Sequence, residues 1–209
     1  MLVATRFNDT GNLSKVILMI NLTSDPECNE RWNFPMQANQ LDPEKLERWE
    51  RIDGVIYDMT PSPTSEHQRI VGRIYRDISG YLKGKKCESF TSPFDVYLDG
   101  DELGDYVQPD ITVICDINKI QQKGCVGVPD MVVEVLSPRT AKKDKSSKLR
   151  AYRKAGVREC WIVDPYNKTV EVYLMDNEDS VFPMVYNKDD TLMVSIFENL
   201  QINLQDIFD

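Results

Sequence analysis

A single histidine, His67, is all the chain holds, and its five cysteines (Cys28, Cys87, Cys115, Cys125 and Cys160) include no Cys-x-x-Cys pair. A zinc site of closely spaced sulfur and imidazole ligands is thereby excluded. The odd, widely spaced cysteines are expected as buried, reduced thiols. Apolar runs are short, and none approaches the roughly 20 residues that cross a bilayer. The longest early one, Val16 to Leu22, is broken by Asn21 and follows Asp9 and Lys15. It has neither a basic leader nor a small-residue cleavage site, so no signal peptide is expected and the cytosol is the expected compartment. Positive charge is scarce too. The formal net charge of −9 argues against a chain that coats nucleic acid through its overall field, although one local basic zone can still meet phosphates.

What is present suits one ordinary folded domain: 209 residues, 41% hydrophobic and 28% charged, enough to bury a core without staples. Residues 1–40 carry weak signals and are expected as an extension, with 41–209 as the domain. Asp42-Pro43-Glu44 predicts a short helix ending near Trp49. Asp53-Gly54 between Trp49–Ile52 and Val55–Met59 predicts a hairpin. Ser65 and Gln68 fit a capping box for a long helix whose apolar stripe runs from Ile70 to Leu82 and stops at Gly84. Strands are predicted at Phe94–Leu98, Ile111–Cys115, Met131–Leu136, Glu159–Val163 and Val170–Leu174, with weaker ones near Met184–Tyr186 and Leu192–Ile196. A second long helix spans about Thr140 to Ala155, stopped by Gly156, and a last helical turn covers Leu204–Phe208. This order predicts an α/β (α+β) fold, a mixed sheet flanked by helices with an N-terminal hairpin.

Two carboxylates stand out. Asp110 follows Pro109 at the start of a strand, and Glu134 sits among Val132, Val133, Val135 and Leu136 in the most apolar strand of the chain. Burying a lone carboxylate there is unfavourable by several kcal/mol unless a cation meets it or it is neutralised. A hard divalent ion shared by the two acids supplies that charge. Asp144, Lys148 and Tyr152 are spaced by four along the second helix. Lys148 therefore either extends its ammonium toward Glu134 or forms a surface ion pair with Asp144. Arg139, Lys142, Lys143 and Lys145 belong to a basic stretch that either holds flanking phosphates or is a solvated helix face. Glu66 and His67 open the first long helix, where a carboxylate is also favoured by the helix dipole alone. Asp130, in a second Pro-Asp pair, reads as the opening residue of its strand.

These residues resemble the PD-(D/E)XK nuclease superfamily, and more narrowly the Uma-two family of restriction-endonuclease-like proteins, widespread in bacteria. The matching stretches are Ile52-Asp53-Gly54, Pro63 to Ile70, Gln108-Pro109-Asp110, Pro129 to Pro138, Asp144 with Lys148-Leu149, and Tyr152 through Gly156 to Pro165. The resemblance implies a restriction-endonuclease-like core, an Mg²⁺ or Mn²⁺ site on Asp110 and Glu134, and Lys148 as the catalytic lysine. The superfamily motif places lysine two residues after the acid, where this chain has Leu136. The resemblance implies its transfer to the following helix. Gln108, Asp144, Glu66 and His67 are auxiliary candidates. The implied activity is phosphodiester hydrolysis in DNA. The alternatives are a nuclease-fold binding or regulatory domain whose chemistry has lapsed, and an enzyme acting on RNA or nucleotides. A homodimer is compatible with the resemblance, and no membrane partner is expected.

Overall fold

The structure, a computed structural model, describes residues 48–59, 62–175 and 182–209, together with two strands nearer the N-terminus. The chain divides into two units, Met1–Gln37 and Ala38–Asp209. In the first, strand β1 (Val3–Phe7) pairs antiparallel with β2 (Leu13–Ile17), from Val3↔Ile17 to Phe7↔Leu13. The strand expected over Val16–Leu22 is thus placed earlier, and its remainder lies outside the described residues. So does the helix expected at Asp42–Glu44, while Trp49 already belongs to a strand.

In the second unit, β3 (Trp49–Ile52) and β4 (Val55–Asp58) form the expected hairpin. Asp53 and Gly54 both take positive φ, 50° and 72°, the turn geometry that matches the twist of the flanking strands. Helix α1 (Ser65–Leu82) follows. Its cap is Thr64 rather than Ser65: the Thr64 hydroxyl accepts from the His67 backbone N–H at 3.2 Å. The helix buries Ile70, Val71, Ile74, Ile78 and Leu82 along one stripe, as their spacing requires.

Next come β5 (Glu88–Thr91), β6 (Asp95–Tyr97), β7 (Ile111–Ile114), β8 (Ile120–Gln121), β9 (Gly124–Val126) and β10 (Met131–Val135). The second long helix is not uniform. A short α2 (Ala141–Lys143) runs into a π-helical turn at Asp144–Lys148, then into α3 (Leu149–Ala155). Gly156 closes it at φ 89°, where a side chain would be strained. The chain ends with β11 (Glu159–Asp164), β12 (Thr169–Leu174), β13 (Met184–Asn187), β14 (Thr191–Met193), β15 (Gln201–Asn203) and α4 (Leu204–Phe208). The sequence signals did not announce β5, β8, β9 or β15.

Six strands form the main sheet in the order β13-β12-β11-β10-β7-β5. Only β10 and β11 run parallel; the other pairings are antiparallel. Every residue of β10 is buried, because both faces of this central strand are covered. Met131, Val133 and Val135 face the α1 side. Val132 and Leu136 face the side of Tyr152 and Val157. The period of two therefore places Glu134 on the α3 side.

The cysteine expectation needs correction. Cys87 and Cys115 form a disulfide. Pairing of Glu88 with Ile114 sets them on the next rung of the β5–β7 ladder, a long-range register that spacing alone does not reveal. Cys125 and Cys160 are buried free thiols, and Cys28 lies outside the described residues. Among the described residues no helix is long and apolar enough to cross a membrane.

Candidate active site

Glu134 meets its cation within the protein. Lys148 Nζ lies 2.9 and 3.1 Å from its two carboxylate oxygens, and the Tyr152 hydroxyl donates to Oε1. Glu134 is 3% exposed and Lys148 2%. The surface ion pair between Asp144 and Lys148 is thereby overturned: both are buried, with 3.9 Å between Nζ and Oδ1. The π-helical turn explains the arrangement. A wide turn lags in rotation where an α-turn leads, so the two offsets cancel and Asp144, Lys148 and Tyr152 all stay on the buried side.

A third acid, overlooked in the sequence, completes the cluster. Glu50 of β3 is wholly buried. Its Oε1 lies 2.7 Å from Lys148 Nζ and accepts the Gln108 backbone N–H at 2.8 Å. Its Oε2 lies 2.6 Å from Lys143 Nζ. A usable signal existed. Glu50 is two residues from Ile52 and so shares its inward face, the same anomaly of a carboxylate at a core position that singled out Glu134.

Asp110 lies one step beyond the last paired residues of β7 and β10, Val133↔Ile111. That step puts it across from Glu134, on the neighbouring strand and the same face. Its Oδ2 accepts the Val135 N–H at 2.8 Å and lies 3.2 Å from His67 Nε2. Its side chain is 19% exposed, so it marks the open end of the cluster. Burial acts to lower the His67 pKa, but the hydrogen bond and charge of Asp110 outweigh it and raise the value. Among the described residues, His67 Nδ1 is buried with no hydrogen-bond partner.

Charge is unevenly shared. Burial raises the Glu134 pKa to about 8 against the pull of Lys148, with Asp144, Asp110 and Glu50 adding to the rise. Burial also tends to raise Glu50, but Lys148 and Lys143 bring it below the ordinary value. Lys148 is held well above its own: burial opposes the charge, and Glu134, Glu50 and Asp144 overcome it. Carboxylates outnumber the cations among them, and Glu134 carries the shortfall. Tyr152→Phe deletes one donor to this group and is expected to lower stability by about 1–3 kcal/mol in urea unfolding.

The other expected residues are placed as follows. Gln108 is a scaffold: its amide donates to Asp95 at 2.7 Å and accepts from Arg48 at 3.1 Å. Glu66 is exposed and lines a separate cleft with Arg69, Arg73 and Phe208 that contains none of the clustered acids. Its first-turn position is the one the helix dipole favours. Asp130 accepts the Cys115 N–H at 2.8 Å, at the opening of its strand. Of the basic stretch, Lys143 turns inward to Glu50 and Lys145 pairs with Glu171 at 2.6 Å. Arg139, 3.7 Å from Asp58, and Lys142 are exposed.

A mixed sheet between helices, carrying acids on neighbouring strands and a lysine from the flanking helix, defines the nuclease-like class of α+β fold. The chain belongs to the Uma-two family, whose profile, described as “Putative restriction endonuclease”, matches residues 36–205. An uncharacterized protein of Synechocystis sp. is 28% identical over 156 residues, 75% of this chain and 74% of that protein. A crystal structure of a “putative nuclease belonging to DUF820” from Anabaena variabilis matches with a TM-score of 0.62 at 24% identity, over 83% of this chain and 98% of that one. At that identity the likeness is one of fold.

Proposed function

We propose that the chain is a divalent-metal-dependent endonuclease hydrolysing phosphodiester bonds in DNA. The observation that carries this reading is the surplus of carboxylates over cations where Glu134 stands across from Asp110, with Lys148 in contact. Among the described residues no three His, Cys, Asp or Glu side chains converge into a metal cage. Asp110 and Glu134 suit Mg²⁺ or Mn²⁺, which are held by one or two carboxylates with water and phosphate oxygens completing the shell.

Asp110 and Glu134 would hold the ion. When bound, it supplies Lewis-acid activation of the phosphate and of the attacking water. The protein's own groups supply the rest. Lys148, kept charged by three acids, places a positive group beside the reacting centre, where it stabilises charge building on the phosphoryl oxygens. Tyr152 and Lys148 orient Glu134, and the Val135 N–H and His67 orient Asp110. Arg139, beside Asp58 at 3.7 Å, and Lys142 are exposed and suit contact with flanking phosphates, which position a strand without reading sequence.

Calorimetry with Mn²⁺ tests the site. Binding heat is expected in the wild type and in Glu66→Ala, and is expected to vanish in Asp110→Ala. Cleavage is assayed on single- and double-stranded DNA and on RNA, with Mg²⁺ and with Mn²⁺. Exclusive cleavage of RNA would replace the substrate and keep the chemistry. One observation favours a second reading: Glu134 and Lys148 are almost closed to solvent, as in a structural ion pair of a non-catalytic binding domain. A wild-type protein with no metal response in any assay would establish that reading instead.

A further inference from the structure

Glu50 has no place in the resemblance and none in the reaction as written above. Three donors from three segments converge on it: Lys148 Nζ at 2.7 Å, Lys143 Nζ at 2.6 Å and the Gln108 backbone N–H at 2.8 Å. Lys148 Nζ also lies 3.5 Å from the Gln108 carbonyl. The Gln108 residue is therefore held at both its backbone groups, two positions before Asp110. The hairpin itself does not require such a carboxylate. Asp53-Gly54 sets its turn and Ile52 packs its face, and a buried ionic cluster replaced as a whole by packed apolar side chains is often as stable or more so.

Lys148 Nζ reaches both oxygens of Glu134, at 2.9 and 3.1 Å, and Glu50 Oε1 from the other side at 2.7 Å. Glu50 thus holds the ammonium between two carboxylates, where Glu134 alone would leave one side of it without an anchor. We infer that Glu50 is a positioning residue of the active site, fixing Lys148 between two carboxylates and fixing the Gln108-Pro109-Asp110 segment. The inference rests on the nuclease reading for its consequence in catalysis, and on the observed contacts alone for its consequence in Lys148.

The test uses the full chain as wild type, Glu50→Gln and Glu50→Asp. The glutamine keeps size and the acceptor for Gln108 but drops the charge; the aspartate keeps the charge on a shorter arm. Three quantities are read: kcat on DNA with saturating Mn²⁺, Mn²⁺ affinity by calorimetry, and acylation of Lys148 relative to Lys145 by peptide mass spectrometry. In Glu50→Gln, kcat is expected to fall on the order of a hundredfold, the scale of a one-ångström misplacement. Mn²⁺ affinity stays near wild type, and the Lys148 to Lys145 labelling ratio rises. Glu50→Asp recovers part of kcat and lowers the ratio again. A labelling ratio unchanged in both variants, or wild-type kcat in folded Glu50→Gln, overturns the role. Should the wild type cleave no nucleic acid, the nuclease reading fails, and the labelling ratio alone decides the role of Glu50. Should Glu50→Gln not fold, the same ratio and kcat in Glu50→Asp decide it.

Discussion

Lys148→Ala is expected to lower unfolding free energy by about 3–5 kcal/mol, the scale for removing one partner of a buried ion pair. Domains of this kind are stable by roughly 5–15 kcal/mol, so the variant keeps only part of its margin. The reason is charge before volume. Lys148 touches Glu134 and Glu50 and lies 3.9 Å from Asp144, all three almost closed to water. Its loss takes the principal counter-charge from acids that solvent cannot screen, Glu50 foremost. Lys148→Met fills most of the space and is expected to recover little. Adding Glu50→Gln to Lys148→Met removes the most firmly ionised of the stranded acids and is expected to recover a large part. Urea unfolding at pH 7 measures each step, provided the dependence on denaturant is unchanged among variants. The deficit of Lys148→Met is expected to shrink toward pH 5, as the stranded acids take up protons. A loss below about 1 kcal/mol, the value of an exposed pair, would show that Lys148 does not carry this cluster.

The fold was largely legible because its signals are local. Helix α1 has an apolar stripe at helical spacing, β10 an apolar run broken only by Glu134, and the β3–β4 hairpin an Asp-Gly turn that its strands require. What escaped was what only register or charge accounting reveals. Strand β5 lies at the sheet edge with two exposed residues among its four, so no alternation marks it. Because β5 was hidden, the Cys87–Cys115 pairing it enforces was hidden too. The π-helical turn leaves no trace in spacing, since residues four apart share a face in either kind of turn to a first approximation. Glu134 and Lys148 were legible for a physical reason: a carboxylate in an apolar strand demands a cation, and the next helix offers one. A divalent ion shared with Asp110 and the ammonium of Lys148 were the expected cations, and Lys148 is in contact. Glu50 obeyed the same rule three residues before Asp53 of the Asp53-Gly54 turn. It was passed over because its strand is short and its neighbour Arg51 gave it an ordinary surface look.

Glu134→Gln is expected to separate what Glu134 does for folding from what it does for metal. Its pKa in the folded chain is raised to about 8 from an ordinary 4.5. Between those values the native state holds a proton that the unfolded chain has lost, so wild-type stability falls as pH rises through that window. Glutamine stays neutral throughout, and the difference between the two stability curves is expected to swing toward the variant from pH 5 to pH 8. Asp144 and His67, also raised, slope the same way in both proteins and cancel in that difference, as does Glu50, which slopes oppositely. Metal reverses the ranking. An ion at 100 times its dissociation constant stabilises a native state that alone binds it by about 2.7 kcal/mol, and this gain is expected in the wild type and not in the variant. Binding must also displace the Glu134 proton, so wild-type Mn²⁺ affinity should strengthen with pH up to about 8 and release protons measurable as a buffer-dependent heat. A variant that keeps the Mn²⁺-induced rise in melting temperature would remove Glu134 from the metal site and leave it a partner of Lys148 alone.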